Sequence, residues 1–284
     1  MPTAPLTTVV CSLSVCALLL LACSQTDYRQ ILVPPTTSAP PAPSARAPQP
    51  PCPPEMTAVH NTCVDRWEAH LVQVDAHASV HPGNRRPKSG VNFAARSAPG
   101  MHPQGYINRS EAASACAHAG KRLCTAREWL DACRGPRDTL YPYGNERIDG
   151  RCNTHKPHVP VKVFGRHTAL TTDHYNSPRL HEEPGFLALT GIHEGCVNDY
   201  GLYDMVGNLH EWVSDNVSDA LTKRIPLAYG KHLMGPRGSG VFMGGYFSSR
   251  GEHGRGCRYT TTNHAPGYHD YSIGFRCCAD PVSR

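Results

Sequence analysis

Ten cysteines stand beyond residue 50, at Cys52, Cys63, Cys116, Cys124, Cys133, Cys152, Cys196, Cys257, Cys277 and Cys278. In a chain whose apolar runs are short and broken by Gly and Pro, this even set constrains the fold more than any periodic pattern does. In an oxidising compartment it reads as a disulfide framework; in the cytosol the same set would suggest metal or redox chemistry. No two cysteines are spaced Cys-x-x-Cys, which argues against thioredoxin-like and zinc-ribbon readings. Each well-formed bridge contributes about 2–4 kcal/mol, mostly by restricting the unfolded chain.

The start of the chain supplies the compartment. Residues 1–22 carry no charged side chain and end in a short apolar run, Val15 to Ala22. That run is too short to cross a bilayer as a helix and reads as a signal-peptide core. Leu20-Leu21-Ala22-Cys23-Ser24 resembles the lipobox of bacterial lipoproteins, although no Lys or Arg follows Met1. The expectation is cleavage after Ala22, lipidation of Cys23, and export to the bacterial cell envelope with membrane attachment by the lipid. Cleavage would discard Cys11 and Cys16, leaving the ten cysteines above for the folded part.

Pro, Ala, Ser and Thr dominate Pro34 to Pro54, a composition that stays extended instead of burying a core. The expected organisation is a signal peptide over 1–22, a Pro-rich tether over 23–51 and one domain over 52–284. The formal charge of +5 is modest, and the basic residues are scattered. No nucleic-acid partner is expected, and nothing sets an oligomeric state.

Two helices are expected in the domain. Between Asn108 and Gly120, Ala112, Ala115, Cys116 and Ala119 recur at i, i+3, i+4 and i+7, with Gly120 as a left-handed stop. Thr125-Ala-Arg-Glu128 is a capping box that opens a second helix burying Trp129, Ala132 and Cys133 and ending at Gly135-Pro136. Elsewhere neither helical nor strand period persists, which predicts an α+β domain of short strands and pinned loops.

Four segments in order, Cys63-Val-Asp-Arg-Trp-Glu68, Gly120-Lys-Arg-Leu-Cys-Thr-Ala-Arg-Glu-Trp129, Gly201-Leu-Tyr-Asp-Met-Val-Gly-Asn-Leu-His-Glu-Trp212 and Gly274-Phe-Arg-Cys277, resemble the formylglycine-generating enzyme, or sulfatase-modifying factor, family. The resemblance implies one α+β domain related in layout to C-type lectins, with little regular secondary structure. It also implies bridges Cys116 to Cys277 and Cys133 to Cys257. The remaining six would pair as Cys52 with Cys63, Cys124 with Cys278 and Cys152 with Cys196, the last two only because those cysteines are left over.

Catalytic members of that family oxidise a sulfatase cysteine to formylglycine with oxygen and a copper ion held by two thiolates, soft ligands suited to Cu(I). The corresponding stretch here is Gly244-Gly-Tyr-Phe-Ser-Ser-Arg-Gly-Glu-His-Gly254. Counting from the glycine pair puts Ser249 and Gly254 at the thiol positions and Tyr246 at a serine; His210 replaces the tryptophan usual before Glu211. With His253 beside them, these residues make an altered pocket, without catalytic residues or copper. Cys257, displaced by a few positions, is read as a structural cysteine.

The resemblance further implies structural calcium held by Asp204, Gly207, Leu209 and Glu211, and a second site beginning at Asn153 and Thr154. Hard oxygen donors on irregular backbone suit that ion. His155, His158, His253, His264 and His269 form no recognisable metal spacing. Asn108-Arg-Ser110 and Asn216-Val-Ser218 match a glycosylation pattern that has no bearing in a bacterial chain.

The leading expectation is a surface module binding a peptide or protein without making formylglycine. The rivals are an oxidoreductase of the same superfamily, either a formylglycine generator with rearranged thiols or a divergent metal-dependent oxidation, and an envelope scaffold.

Overall fold

Local chemistry sets the two helices of the computed structural model, which describes residues 52–75, 77–224 and 235–281. The expected signal segment, Cys23 and the expected tether up to residue 51 lie outside the described residues. Helix α1, Arg109–His118, starts where the Asn108 side chain accepts from the Glu111 N–H while Glu111 accepts from the Asn108 N–H, a reciprocal cap not anticipated from the sequence. It buries Ala112, Ala115 and Cys116, and Gly120 follows at φ +70°. Helix α2, Ala126–Arg134, has the expected Thr125/Glu128 box and buries Trp129, Leu130, Ala132 and Cys133. The Glu128 carboxylate also binds Arg122 at 2.7 Å and accepts from the Thr62 hydroxyl.

The strands are short, as the broken periodicity predicts. Met56–Val59 (β1), Thr62–Asp65 (β2), Arg122–Leu123 (β5) and Cys277–Ala279 (β10) form an antiparallel sheet in the order β1-β2-β10-β5. Ala69–Gln73 (β3) pairs with Phe93–Ser97 (β4). A third sheet runs β8-β7-β6-β9, built from Thr260–His264, Gly240–Met243, His210–Asn216 and Ile273–Phe275, with β6 and β9 parallel. Four further short helices, Val159–Phe164 (α3), Thr172–Tyr175 (α4), Arg179–Glu182 (α5) and Asp219–Arg224 (α6), punctuate the loops. No helix of the described residues is long and apolar enough to cross a membrane.

All ten cysteines are bridged: Cys52–Cys63, Cys116–Cys277, Cys124–Cys278, Cys133–Cys257 and Cys152–Cys196, with Cα separations of 4.8 to 5.7 Å. Five bridges mark a domain that folds in an oxidising compartment, as an exported protein does. Successive strand residues face opposite sides, so the neighbours Cys277 and Cys278 reach into different cores. Cys277 and Cys116 join the cluster around Trp212, Phe242 and Phe275, whereas Cys278 and Cys124 join the one around Trp129, Leu130 and Met205.

Candidate functional site

The altered pocket is shaped by the turn after β7. Gly244 and Gly245 both have positive φ, +88° and +75°, a conformation that favours glycine. A Cβ on Gly244 would also stand 2.8 Å from the Met205 carbonyl oxygen and 3.0 Å from the Trp129 ring. Ser249 fastens the turn: its hydroxyl accepts from the Tyr246 N–H, and its own N–H donates to the Tyr246 carbonyl, each at 2.9 Å.

Ser249 and Gly254 line a cavity of about 300 Å³ together with Tyr141, Thr154, His155 and Tyr259. The positions expected for thiols are thus a buried hydroxyl already bonded to backbone and a glycine. Cys257 is bridged to Cys133, and Cys152, which also reaches the cavity, is bridged to Cys196. No donor pair for a two-thiolate copper ion exists there.

His210, Tyr246 and His253 do not line the cavity but touch residues that do, His210 and His253 meeting Tyr259 and Tyr246 bonding Ser249. The buried His210 ring lies 4.9 Å from Phe242, 5.1 Å from Tyr246 and 5.5 Å from Tyr259, and its Nδ1 has no hydrogen-bond partner. Burial pushes its pKa down to about 3, so the ring is neutral at physiological pH. His253 meets the edge of Tyr259, whose hydroxyl donates to Glu252 at 3.1 Å. Among the described residues, no three His, Cys, Asp or Glu side chains are grouped to hold a metal.

The two segments expected to hold calcium touch one another. The Asn208 N–H donates to the Asn153 carbonyl at 2.9 Å, and Asn153 Nδ2 donates to Asn208 Oδ1 at 2.8 Å and to the Phe186 carbonyl at 2.9 Å. Gly207, at φ +85°, lies so close that a Cβ would sit 2.2 Å from the Asn153 carbonyl oxygen and 2.6 Å from a methyl carbon of Thr154. Asn153 Oδ1 is buried without a partner, a hard oxygen left over at the place where the second ion was expected.

Asp204 and Glu211 belong to a larger group. Glu211 accepts from the Arg276 guanidinium twice and from Trp129 Nε1, each at 2.6 Å. Glu68 accepts from Asn208 Nδ2 at 2.5 Å and from the Leu209 N–H at 3.0 Å, and Asp204 Oδ2 accepts from the Gly191 N–H at 2.6 Å. Three buried carboxylates therefore face one guanidinium. Burial, with Asp204 and Glu211 nearby, holds Glu68 well above the usual carboxylate range; burial raises Asp204 to about 6. The raised Glu68 and Asp204 make the group less negative than three ionised carboxylates would be. In geometry Glu211 is already shared: three of its roughly four lone pairs are used, and an ion there would compete with Arg276.

Glu68 and Arg276 were not singled out from the sequence, although both lie in the quoted motif segments. The four segments meet here, supplying Glu68, Trp129, Glu211 and Arg276 in turn.

Comparison with known proteins agrees with this convergence. The model of a sulfatase-modifying factor enzyme 1-like domain matches residues 33–281. The chain is 29% identical over 197 residues to the formylglycine-generating enzyme of Thermomonospora curvata, covering 64% of this chain and 56% of that one. It is 31% identical over 120 residues to the inactive C-alpha-formylglycine-generating enzyme 2 of Bos taurus, covering 42% and 34%. The chain thus spans about half the length, or less, of the curated relatives it matches. Among solved structures, PvdO from Pseudomonas aeruginosa aligns at 16% identity with a TM-score of 0.45, covering 77% of this chain and 80% of its own.

Proposed function

This chain belongs to the sulfatase-modifying factor enzyme 1-like family, and from that premise we propose that it is an exported member that binds a peptide or protein segment at the altered pocket and makes no formylglycine. One observation carries the reading: every cysteine of the domain is in a bridge, and the two pocket positions that would need thiols are Ser249 and Gly254. Oxidising a substrate cysteine through thiolate-bound copper has no donors there, while the scaffold around the pocket is intact. The name of the inactive bovine relative is compatible with a family member that has lost this activity.

The lipobox-like sequence supports attachment of the mature chain to a membrane through Cys23, with the Pro-rich stretch as a spacer. Calcium remains part of the proposal as a structural ion. Its support is the unpartnered, buried Asn153 Oδ1 beside the 204–211 segment, together with the Glu68 and Asp204 carboxyls, which the Arg276 guanidinium does not hydrogen-bond as it does Glu211.

The test is twofold. The purified chain is incubated with oxygen, copper and a cysteine-containing sulfatase peptide, and peptide mass and oxygen uptake are followed; the expected result is no conversion. It is then offered an immobilised random-peptide library, and retention is expected. Conversion that disappears on substituting Ser249 would instead establish the oxidoreductase. A chain that retains no peptide and converts none would be read as a scaffold.

A further inference from the structure

Basic side chains surround the cavity beside Ser249, and no acidic side chain lines it. Arg147, Arg250 and Arg255 all contribute to the lining, which contains no Asp or Glu. The three arginines are exposed, so their side chains can swing into the opening without losing a buried contact.

Their charge is only partly answered. Arg147 pairs with Asp149 two residues on. Among the described residues, Arg250 and Arg255 make no salt bridge. Glu252, on the same loop, already accepts from the Arg250 backbone N–H at 2.9 Å and the Tyr259 hydroxyl at 3.1 Å. Tyr141 and Tyr143, stacked at 5.6 Å, form an aromatic wall, and a fourth arginine, Arg151, lies over the Tyr143 ring at 4.8 Å. A cavity of about 300 Å³ is at the small end of ligand sites, enough for one or two side chains of a bound segment.

We propose that this cavity selects peptide segments carrying an aspartate or glutamate, whose carboxylate is taken by Arg250 and Arg255 with the tyrosine wall packing against the neighbouring residue. The inference rests on the peptide-binding reading above and deepens it. Planar guanidinium donors suit a carboxylate because they can form two parallel charge-assisted hydrogen bonds. Such a contact is worth roughly tenfold in affinity when made at a partly enclosed site.

The experiment uses the purified chain and a bead-displayed random octapeptide library, with the bound beads sequenced. The expected result is an Asp and Glu frequency at least about threefold above input, and a roughly tenfold weaker affinity when the acid of a selected peptide is changed to its amide. The double variant R250Q/R255Q, whose thermal unfolding should match the parent because both side chains are exposed, should lose the enrichment. Retention without acidic enrichment overturns this inference and leaves peptide binding standing; retention of no beads overturns both. Enrichment that survives in the double variant removes the assignment to this cavity.

Discussion

Arg276 closes on Glu211 through two hydrogen bonds of 2.6 Å, Nε to Oε2 and Nη2 to Oε1, with neither side chain appreciably exposed to solvent. The same guanidinium donates to the carbonyls of Asp65 at 3.0 Å and Tyr203 at 2.9 Å. One side chain thus ties the N-terminal hairpin, the loop before β6 and the last sheet to a common centre.

Removing that cation should be costly. Arg276→Met leaves three carboxylates buried together, and losing one partner of a buried pair typically costs about 3–5 kcal/mol. Urea unfolding of the variant should show a loss of that size. A change below about 1 kcal/mol would mean that the carboxylates are protonated or solvated instead.

Gly207→Ala should destabilise the domain by more than about 2 kcal/mol. The new methyl would meet the Asn153 carbonyl oxygen at 2.2 Å from a backbone at φ +85°, combining a steric clash with a strained conformation. Thermal unfolding checks this, with Gly267→Ala as the control, because nothing lies within 4 Å of a Cβ there.

Bridges should differ in worth with the chain they close. Cys133–Cys257 closes 124 residues and Cys52–Cys63 only 11. With Cys124–Cys278 intact the loop that Cys133–Cys257 closes shortens to about 30 residues, so loop-closure entropy makes its loss about 1 kcal/mol more damaging, measurable by comparing the paired alanine variants. Alkylation of the native domain without reduction should label none of the ten cysteines.

His181 supplies a pH dependence of known sign. Its Nε2 is 2.5 Å from the Tyr271 carbonyl, its Nδ1 is buried without a partner, and burial lowers its pKa from 6.5 to about 4. The fold therefore disfavours the protonated ring. The stability it contributes is present above pH 6.5 and is lost as pH falls towards 4, by up to about 3 kcal/mol. His181→Gln, which keeps a donor for Tyr271, should flatten unfolding free energy against pH across that window.

Calcium should raise the melting temperature of the parent chain relative to EDTA, by an amount that grows with concentration as mass action requires. In Glu211→Gln the shift should shrink. An unchanged melting temperature at millimolar calcium removes the ion from the proposal.

The sequence made the helices legible because their signals are local: Thr125 and Glu128 sit three residues apart, and the buried face of α1 repeats within two turns. The cysteine pairings were legible through the family resemblance and two guesses from the cysteines left over. The pairing of β6 with β9 was not, since strands this short carry almost no period, and their register depends on partners far away in the chain. The role of Arg276 was hidden for the same reason: Gly274-Phe-Arg-Cys277 was visible as a motif, but its meaning lies in Glu211, 65 residues earlier. The arginines around the cavity escaped notice because Arg147 and Arg250 come from separate loops whose meeting no local pattern encodes.

The arrangement of the bridges also sets the order in which the protein can be completed during export. Cys116, Cys124 and Cys133 all wait for partners at Cys277, Cys278 and Cys257. A chain emerging N-terminus first therefore presents three neighbouring thiols while more than a hundred residues are still to follow. Until the final strand arrives, the closest reaction open to them is with one another. Any bridge formed among Cys116, Cys124 and Cys133 has to be undone before the native pairings with Cys277, Cys278 and Cys257 can form.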